Sequence, residues 1–282
     1  MSHKEAARLG DLVRAAALRL ESAGIDGAAR EARLLLAHVT GFSTARLGAE
    51  LGEAATPRVV NQFEAAVARR CAREPMSHII GKRLFFNHEF SVGPDVLDPR
   101  PETETLVLAA LERPWRRVLD LGTGSGAILL SLLAERGQAT GIGTDLSPSA
   151  LGVAHGNAAR LGLAERCEFI ESDWFRGVTG SFDLIVSNPP YIAEAEMAVL
   201  APELSFEPRM ALSDGGDGLS AYRAICGDAQ PHLTPGGWLM LEIGWAQGQD
   251  VSAAMEQAGL EDVRILRDLD GRDRVVEGRL PE

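Results

Sequence analysis

Long hydrophobic runs are missing from this 282-residue chain. The longest nearly apolar stretch, Ala127 to Ala134, is broken by Ser131 and falls far short of the roughly 18 residues that a membrane-spanning helix requires. No membrane partner is expected. Cysteine is scarce: Cys71, Cys167 and Cys226 lie far apart, without CxxC or Cys/His ligand spacing, which argues against a disulfide framework and a structural zinc site. No metal is expected either. Lysine occurs only at Lys4 and Lys82, so the positive charge is almost all arginine, a pattern that codon bias accounts for without a binding surface. Positive charge as a whole is in deficit, 28 basic against 40 acidic residues for a net charge of -12. That is a poor match for a protein whose affinity must come from neutralising phosphates, and no direct nucleic-acid partner is expected. The start, Met-Ser-His-Lys-Glu, leads into an amphipathic pattern and lacks the apolar core of a signal peptide, so the expected location is the cytoplasm. What is present is ordinary for a folded protein, 45% hydrophobic and 24% charged residues, which excludes disorder of the whole chain. The length fits one small and one larger unit.

Leu9, Leu12, Val13, Ala16 and Leu20 recur at helical spacing, and a second run through Leu34, Leu35 and Val39 stops at Gly41, a residue suited to ending a helix. Thr56-Pro57 supplies an N-cap followed by proline in the first turn, and Val60, Phe63 and Val67 continue one face until Glu74-Pro75. Residues 1–75 are therefore read as a helical domain that docks the substrate. The aromatic and β-branched residues Ile79-Ile80, Leu84-Phe85-Phe86 and Phe90-Ser91-Val92 surround the turn signal Gly81-Lys82, which predicts a β-hairpin connector over 76–98. From 99 to 282 short apolar runs alternate with helical patterns. The candidate strands are Val118-Leu119, Ile142-Gly143, Phe169-Ile170, Leu184-Ile185-Val186 and Leu239-Met240-Leu241, the rhythm of an α/β fold with a parallel sheet. Val263 to Leu266 and Arg274-Val275-Val276 flank an Asp-Leu-Asp-Gly turn and predict a closing antiparallel hairpin.

Val118 to Gly126 reads as a strand entering the turn Gly122-Thr123-Gly124-Ser125-Gly126 that opens a helix. Bare backbone there lets a nucleoside cofactor approach closely. A tight turn alone would need the same glycines, and Gly122-x-Gly124-x-x-Ala127 with Asp145 downstream also fits a dinucleotide fingerprint. Asp120, expected at the mouth of the loop, would repel a pyrophosphate and attract the ammonium and sulfonium of S-adenosylmethionine. Asp145 is placed to accept from ribose hydroxyls. Asp173-Trp174 follows the third strand, where a carboxylate can take an adenine amino group and an indole can cover the ring. The decisive segment is Ser187-Asn188-Pro189-Pro190-Tyr191 after the strand Leu184 to Val186. At that carboxyl edge open α/β sheets bind ligands, and the Asn188 side-chain carbonyl and the Pro189 main-chain carbonyl could each accept one N–H of a planar NH2 group. Tyr191, one of two tyrosines, would wall the pocket.

With these motifs the chain resembles the protein-(glutamine-N5) methyltransferases of the PrmC/HemK family. The resemblance spans nearly its whole length. It is carried by Leu-Asp-Leu-Gly-Thr-Gly-Ser-Gly, Asn-Pro-Pro-Tyr, Pro99-Arg-Pro-Glu-Thr-Glu104, Glu207-Pro208, Gly215-Gly216-Asp217-Gly218, Leu241-Glu242-Ile243-Gly244 with Gln247, and Asp270-Gly271 before Arg274. Phe206 stands where tyrosine is expected. The resemblance implies a class I, seven-stranded, Rossmann-like methyltransferase domain behind the helical domain. The implied cofactor is S-adenosyl-L-methionine, held by Asp120, Gly122, Thr123, Gly124, Ser125, Gly126, Asp145, Asp173, Trp174 and Asn188, with Asn188, Pro189, Pro190 and Tyr191 as the catalytic tetrad. The implied substrate is the glutamine of the Gly-Gly-Gln loop of class-1 peptide chain release factors. A sister branch acting on a ribosomal-protein glutamine shares the tetrad. An adenine-amino nucleic-acid methyltransferase could use the same tetrad on a flipped base, and a cofactor-binding scaffold that only docks a partner would be the non-enzymatic alternative.

Overall fold

The structure, a computed structural model, describes residues 7–282. It comprises two units, divided between Gly81 and Lys82.

The first unit is helical: α1 Leu9–Ser22, α2 Ala28–Thr40, α3 Thr44–Glu50, α4 Pro57–Cys71 and α5 Met76–Ile80. The five apolar residues picked out by spacing in α1 are its five buried residues. In α2 the buried face is Ala32, Leu35, Leu36 and Ala37, while Leu34 and Val39 are only half-buried, so the apolar stripe is set one residue off the expected one. Gly41 ends α2 with φ 70°, a left-handed conformation that glycine adopts without penalty. The Thr56 hydroxyl accepts from Val59 N at 3.3 Å and Pro57 follows in the first turn, fixing the start of α4. Phe63 and Val67 are fully buried against Leu35, Leu36 and Leu20 in one core. Arg70 donates to Glu31 at 2.6 Å from that core's edge.

Ile79 and Ile80 are helical rather than extended, and Gly81 caps α5 at φ 78° rather than turning a hairpin. The hairpin runs β1 Lys82–Phe85 to β2 His88–Ser91. Its turn is Phe86-Asn87, both at positive φ (45° and 66°), the two-residue geometry whose twist matches paired strands. The strand signal in Ile79-Ile80 failed because Pro75 starts a helical turn just ahead of them. The hairpin belongs to the second unit. Asn157 binds it there, accepting from Ser91 N (2.8 Å) and from Arg160 (2.9 Å), and donating to Ser91 O (3.1 Å) and Ser125 O (2.8 Å).

The rest of this unit is α6 Glu104–Leu111, β3 Arg117–Leu121, α7 Ala127–Glu135, β4 Thr140–Asp145, α8 Pro148–Arg160, β5 Cys167–Glu171, β6 Phe182–Ser187, α9 Arg209–Leu212, α10 Ser220–Ala229, β7 Leu233–Glu242, α11 Gly248–Gln257, β8 Glu261–Arg267 and β9 Asp273–Arg279. The sheet order is β5-β4-β3-β6-β7-β9-β8. Strands β5 to β7 are parallel, and β9 pairs antiparallel with both β7 and β8. Apolar side chains alternate across the sheet: Val118, Leu184, Val186 and Met240 pack with α6 and α7, and Leu119, Leu121, Ile185 and Leu239 pack with α10 and α11. The apolar run from Ala127 is α7, buried over seven consecutive residues. Gly141 and Gly143 in β4 are bare for a reason: an added Cβ would lie 2.5 Å from Leu129 Cδ1 or 2.9 Å from Thr123 Oγ1, marking close approach of helix and loop. Among the described residues no helix is long and apolar enough to cross a membrane. The chain order reverses between β3 and β6, the switch point at which such sheets form a crevice.

Candidate active site

A cavity of about 470 Å³ opens at that switch point. Of the residues singled out from sequence, Gly122, Thr123, Gly124, Ser125, Asp145, Asp173, Trp174, Asn188 and Pro190 line it. Asp120, Gly126, Pro189 and Tyr191 are not in its lining.

The loop after β3 is built on backbone that only glycine tolerates easily: φ is 68°, 55° and 79° at Gly122, Gly124 and Gly126. Two bonds join it to β4. Thr123 N donates to Thr144 O at 2.8 Å, and Gly124 N donates to Asp145 Oδ2 at 2.9 Å. The other oxygen of Asp145 accepts from Ser147 N at 2.9 Å. A carboxylate has about four acceptor sites, so capacity remains on the face toward the cavity. Burial pushes the Asp145 carboxyl up from its ordinary range.

Asp120 is not at the mouth of the loop. Strand alternation puts it on the α7 side with Val118, where it is fully buried and its Oδ2 accepts from Thr123 Oγ1 (2.6 Å) and Leu129 N (3.3 Å). Among the described residues its Oδ1 has no partner, and burial pushes the carboxyl up to about 7. The electrostatic argument from an exposed charge there is overturned. The residue fastens the loop to α7 from below.

Trp174 sits at the cavity with φ 51°, an uncommon conformation for an indole-bearing residue. Ser172 holds it, its hydroxyl within hydrogen-bonding distance of Trp174 O (2.8 Å) and Arg176 O (2.5 Å). Trp174 Cζ3 would be 3.8 Å from a Cβ on Gly122, whereas a Cβ on Gly124 would meet nothing within 4 Å. The floor of the cradle is thus open, with an aromatic wall beside it.

After β6, Ser187 Oγ donates to Leu121 O at 2.7 Å, which locks the two switch-point strands together. Asn188 then faces the cavity, and its Nδ2 donates to Thr103 Oγ1 at 3.3 Å. Tyr191 is held through its backbone: Gln247 Nε2 donates to Tyr191 O and to Gly218 O, each at 3.0 Å, while Gln247 Oε1 accepts from Gly244 N (2.9 Å) and Tyr222 OH (3.3 Å). Burial, together with the neighbouring Glu242, pushes the Tyr191 hydroxyl up. Arg100, another lining residue, puts one Nη within 2.6 Å of both Glu207 oxygens. Asp214 completes that rim, accepting from Gly216 N, Gly218 N and Ser220 N at 2.8–3.1 Å. Phe206 is not in the cavity lining.

Reading the sequence assigned no role to Thr103, Arg100, Glu207, Asp214, Glu242 or Gln247. All but Asp214 sit in segments that carry the family resemblance, and a buried charge or amide inside a strand-to-loop segment was the available signal. Among the described residues no cluster of three or more His, Cys, Asp or Glu could hold a metal ion.

A seven-stranded sheet with a reversed closing hairpin and a glycine cradle at its switch point defines a class I methyltransferase. The PrmC N-terminal domain family matches residues 11–81 and the methyltransferase small domain family matches residues 97–221. A release factor glutamine methyltransferase of Cereibacter sphaeroides is 58% identical over 97% of this chain and 99% of its own. One of Rhodospirillum rubrum is 46% identical over 96% and 85%. The chain belongs to the release factor glutamine methyltransferase family. A solved methyltransferase of Pyrococcus furiosus, 18% identical, superposes with a TM-score of 0.55 over 78% of this chain and 98% of that one, a likeness of fold.

Proposed function

We propose that this enzyme methylates the side-chain amide nitrogen of the glutamine in the Gly-Gly-Gln motif of class-1 peptide chain release factors, using S-adenosyl-L-methionine in the cytoplasm. The observation that carries the reading is that one cavity is lined both by the glycine cradle and by Asn188 and Pro190. The names of its relatives support the substrate.

The residues present fit the donor. Gly122 and Gly124 give a backbone cradle that a Cβ on Gly124 would begin to fill, Asp145 keeps acceptor capacity for ribose hydroxyls, and Trp174 and Asp173 can flank the adenine. When bound, the donor supplies a methyl group made electrophilic by its sulfonium. An amide nitrogen is a poor nucleophile because its lone pair is delocalised, so the chain's own contribution is orientation. Asn188 Oδ1 and, from the backbone between the lining residues Asn188 and Pro190, Pro189 O each accept one N–H, which turns the lone pair toward the donor. The same carbonyls favour the positive charge that develops on nitrogen during transfer, and one of the two N–H protons leaves to solvent once the methyl is on nitrogen. Pro189 and Pro190 fix the backbone that carries both acceptors.

The test is mass spectrometry of a release factor after incubation with enzyme and donor, with Asn188→Ala alongside. A 14-Da gain on the Gly-Gly-Gln glutamine that the variant fails to produce is the expected result, 14 Da being about the mass of one CH2. Methylation of a ribosomal-protein glutamine in place of the release factor would reassign the substrate, and methylated nucleic acid would overturn the protein substrate altogether.

A further inference from the structure

Gln247 does not line the cavity, yet its amide joins three segments that meet beside it. Its Nε2 donates to Tyr191 O, the last carbonyl of the tetrad, and to Gly218 O, each at 3.0 Å, and its Oε1 accepts from Gly244 N at 2.9 Å. The hydroxyl of the buried Tyr222, which lies 3.0 Å from Glu242 O, reaches the same Oε1 at 3.3 Å. A side-chain amide has two N–H donors and two lone pairs, and here all four are used. The partners also fix which way it points. Two carbonyls can only accept and a backbone N–H can only donate, so a flipped amide would set its oxygen against both carbonyls and its NH2 against an N–H. The fit is close as well: a Cβ on Gly218 would lie 2.4 Å from Tyr191 O, and one on Gly244 would lie 2.9 Å from Gln247 Oε1 and 3.4 Å from Tyr191 Cδ2.

What precedes Tyr191 explains why it needs such a tie. Ser187 Oγ fixes the entry to the tetrad on Leu121 O at 2.7 Å. Pro189 and Pro190 then have no N–H to pair with a neighbouring segment. Beyond them Ile192 N donates to Leu212 O at 3.0 Å and Glu194 N to Gly216 O at 2.9 Å, so the chain leaving the tetrad runs alongside residues 212–216. Gln247 closes that pairing at its tetrad end. Asn188 and Pro190 on the tetrad side, and Ser213, Asp214 and Ser220 on the loop side, all line the cavity.

We propose that Gln247 is a positioning residue for methyl transfer: by tying Tyr191 O to Gly218 O it sets where Pro189 O and Asn188 Oδ1 stand when the substrate amide enters. The inference rests on the reading of Asn188 to Tyr191 as the substrate-binding tetrad. Proline fixes φ at two of its four residues, so a shift at Tyr191 O is carried to Pro189 O and not absorbed between them. Two acceptors must meet both N–H groups of one planar nitrogen at once, and a displacement of about 1 Å at such a site can cost about a hundredfold in rate. The groups assigned to the methyl donor, on the loop after β3 and at Asp145 and Trp174, are not among the partners of Gln247. The tie therefore bears on turnover and not on donor binding.

The experiment measures kcat and KM on a Gly-Gly-Gln-bearing release factor, donor Kd by calorimetry, and Tm. It compares the wild type with Gln247→Met, Gln247→Glu, Tyr222→Phe and Asn188→Ala, with kinetics taken well below every Tm. Gln247→Met gives up all four bonds at similar length. Gln247→Glu keeps the shape and the acceptor side, but as a carboxylate it has no N–H for either carbonyl. Each should lower kcat about tenfold or more and leave KM and donor Kd within about threefold. Tyr222→Phe removes a bond from the far side of the same amide and spares both N–H bonds. It should lower Tm by about 2 to 4 °C and keep kcat within about twofold, a split that loss of stability alone does not produce. If both Gln247 variants keep kcat within about twofold of wild type while Asn188→Ala is inactive, the positioning role is refuted and the tetrad reading survives. A kcat loss in Tyr222→Phe equal to that in Gln247→Met, or loss of the fold in both Gln247 variants, would make Gln247 a residue of stability alone and refute the role as well. If Asn188→Ala turns over normally, the tetrad reading itself falls.

Discussion

Asp145→Ala removes the carboxylate on which both the glycine loop and the proposed ribose contacts depend. In the structure one oxygen accepts from Gly124 N and the other from Ser147 N, each at 2.9 Å, leaving its remaining lone pairs to the cavity. Two ribose hydroxyls donating to a charged acceptor contribute about 2 to 3 kcal/mol together, which is roughly a 30- to 150-fold rise in the donor Kd. The two backbone N–H groups border the cavity and can turn to water, so the stability cost is small, about 1 kcal/mol or about 2 to 4 °C in Tm for a unit of this size. Titration calorimetry measures the first quantity and thermal unfolding without donor the second. Asp145→Asn keeps one oxygen and should fall between. A donor Kd within about twofold of wild type, alongside a lowered Tm, would refute the ribose role and leave Asp145 as a loop fastener only.

Asp120 makes stability pH-dependent in an unusual direction: with its carboxyl raised from 3.8 to about 7, the folded state holds a proton that the unfolded state has released. Stability should decline from about pH 4 to about pH 7, and Asp120→Asn should flatten that decline in urea titrations at two pH values; equal slopes would refute it. Gly218→Ala places a Cβ 2.4 Å from Tyr191 O at φ 77°, so it should cost about 2 kcal/mol or more and lower kcat more than donor affinity, read by denaturation and steady-state kinetics. Removing residues 1–81 should leave donor binding intact, because all the cavity-lining residues lie beyond that boundary. It should sharply reduce methylation of whole release factor while sparing a short Gly-Gly-Gln peptide. Equal activity on whole release factor with and without the helical unit would refute its docking role.

The periodic parts of the fold were legible because they depend on neighbours in the chain. The α1 face, the Thr56-Pro57 start of α4 and the strands β3 to β7 each show in local spacing, and the glycine loop and Asn-Pro-Pro-Tyr show as motifs. What failed depended on neighbours in space. Asp120 reads as an exposed loop acid until strand alternation turns it under α7. Ile79-Ile80 read as a strand until Pro75 and Gly81 are seen to bracket a helical turn. Thr103 and Gln247 have no local signature of a role, because each bonds a residue at least 50 positions away.

Asn157 gives the catalytic unit a boundary that composition does not suggest. It spends its whole amide on Ser91, Ser125 and Arg160 while fully buried, so hairpin and glycine loop share one fastening. Excision at Pro99, where the α/β rhythm begins, would discard Ser91 and strand two amide hydrogen bonds beneath the cradle, at a cost of about 1 to 3 kcal/mol for each polar group left buried without a partner. Excision after Gly81 keeps them. The hairpin and the glycine loop are thus one structural part, and a graft of this site onto another scaffold must carry residues 82–98 along with it.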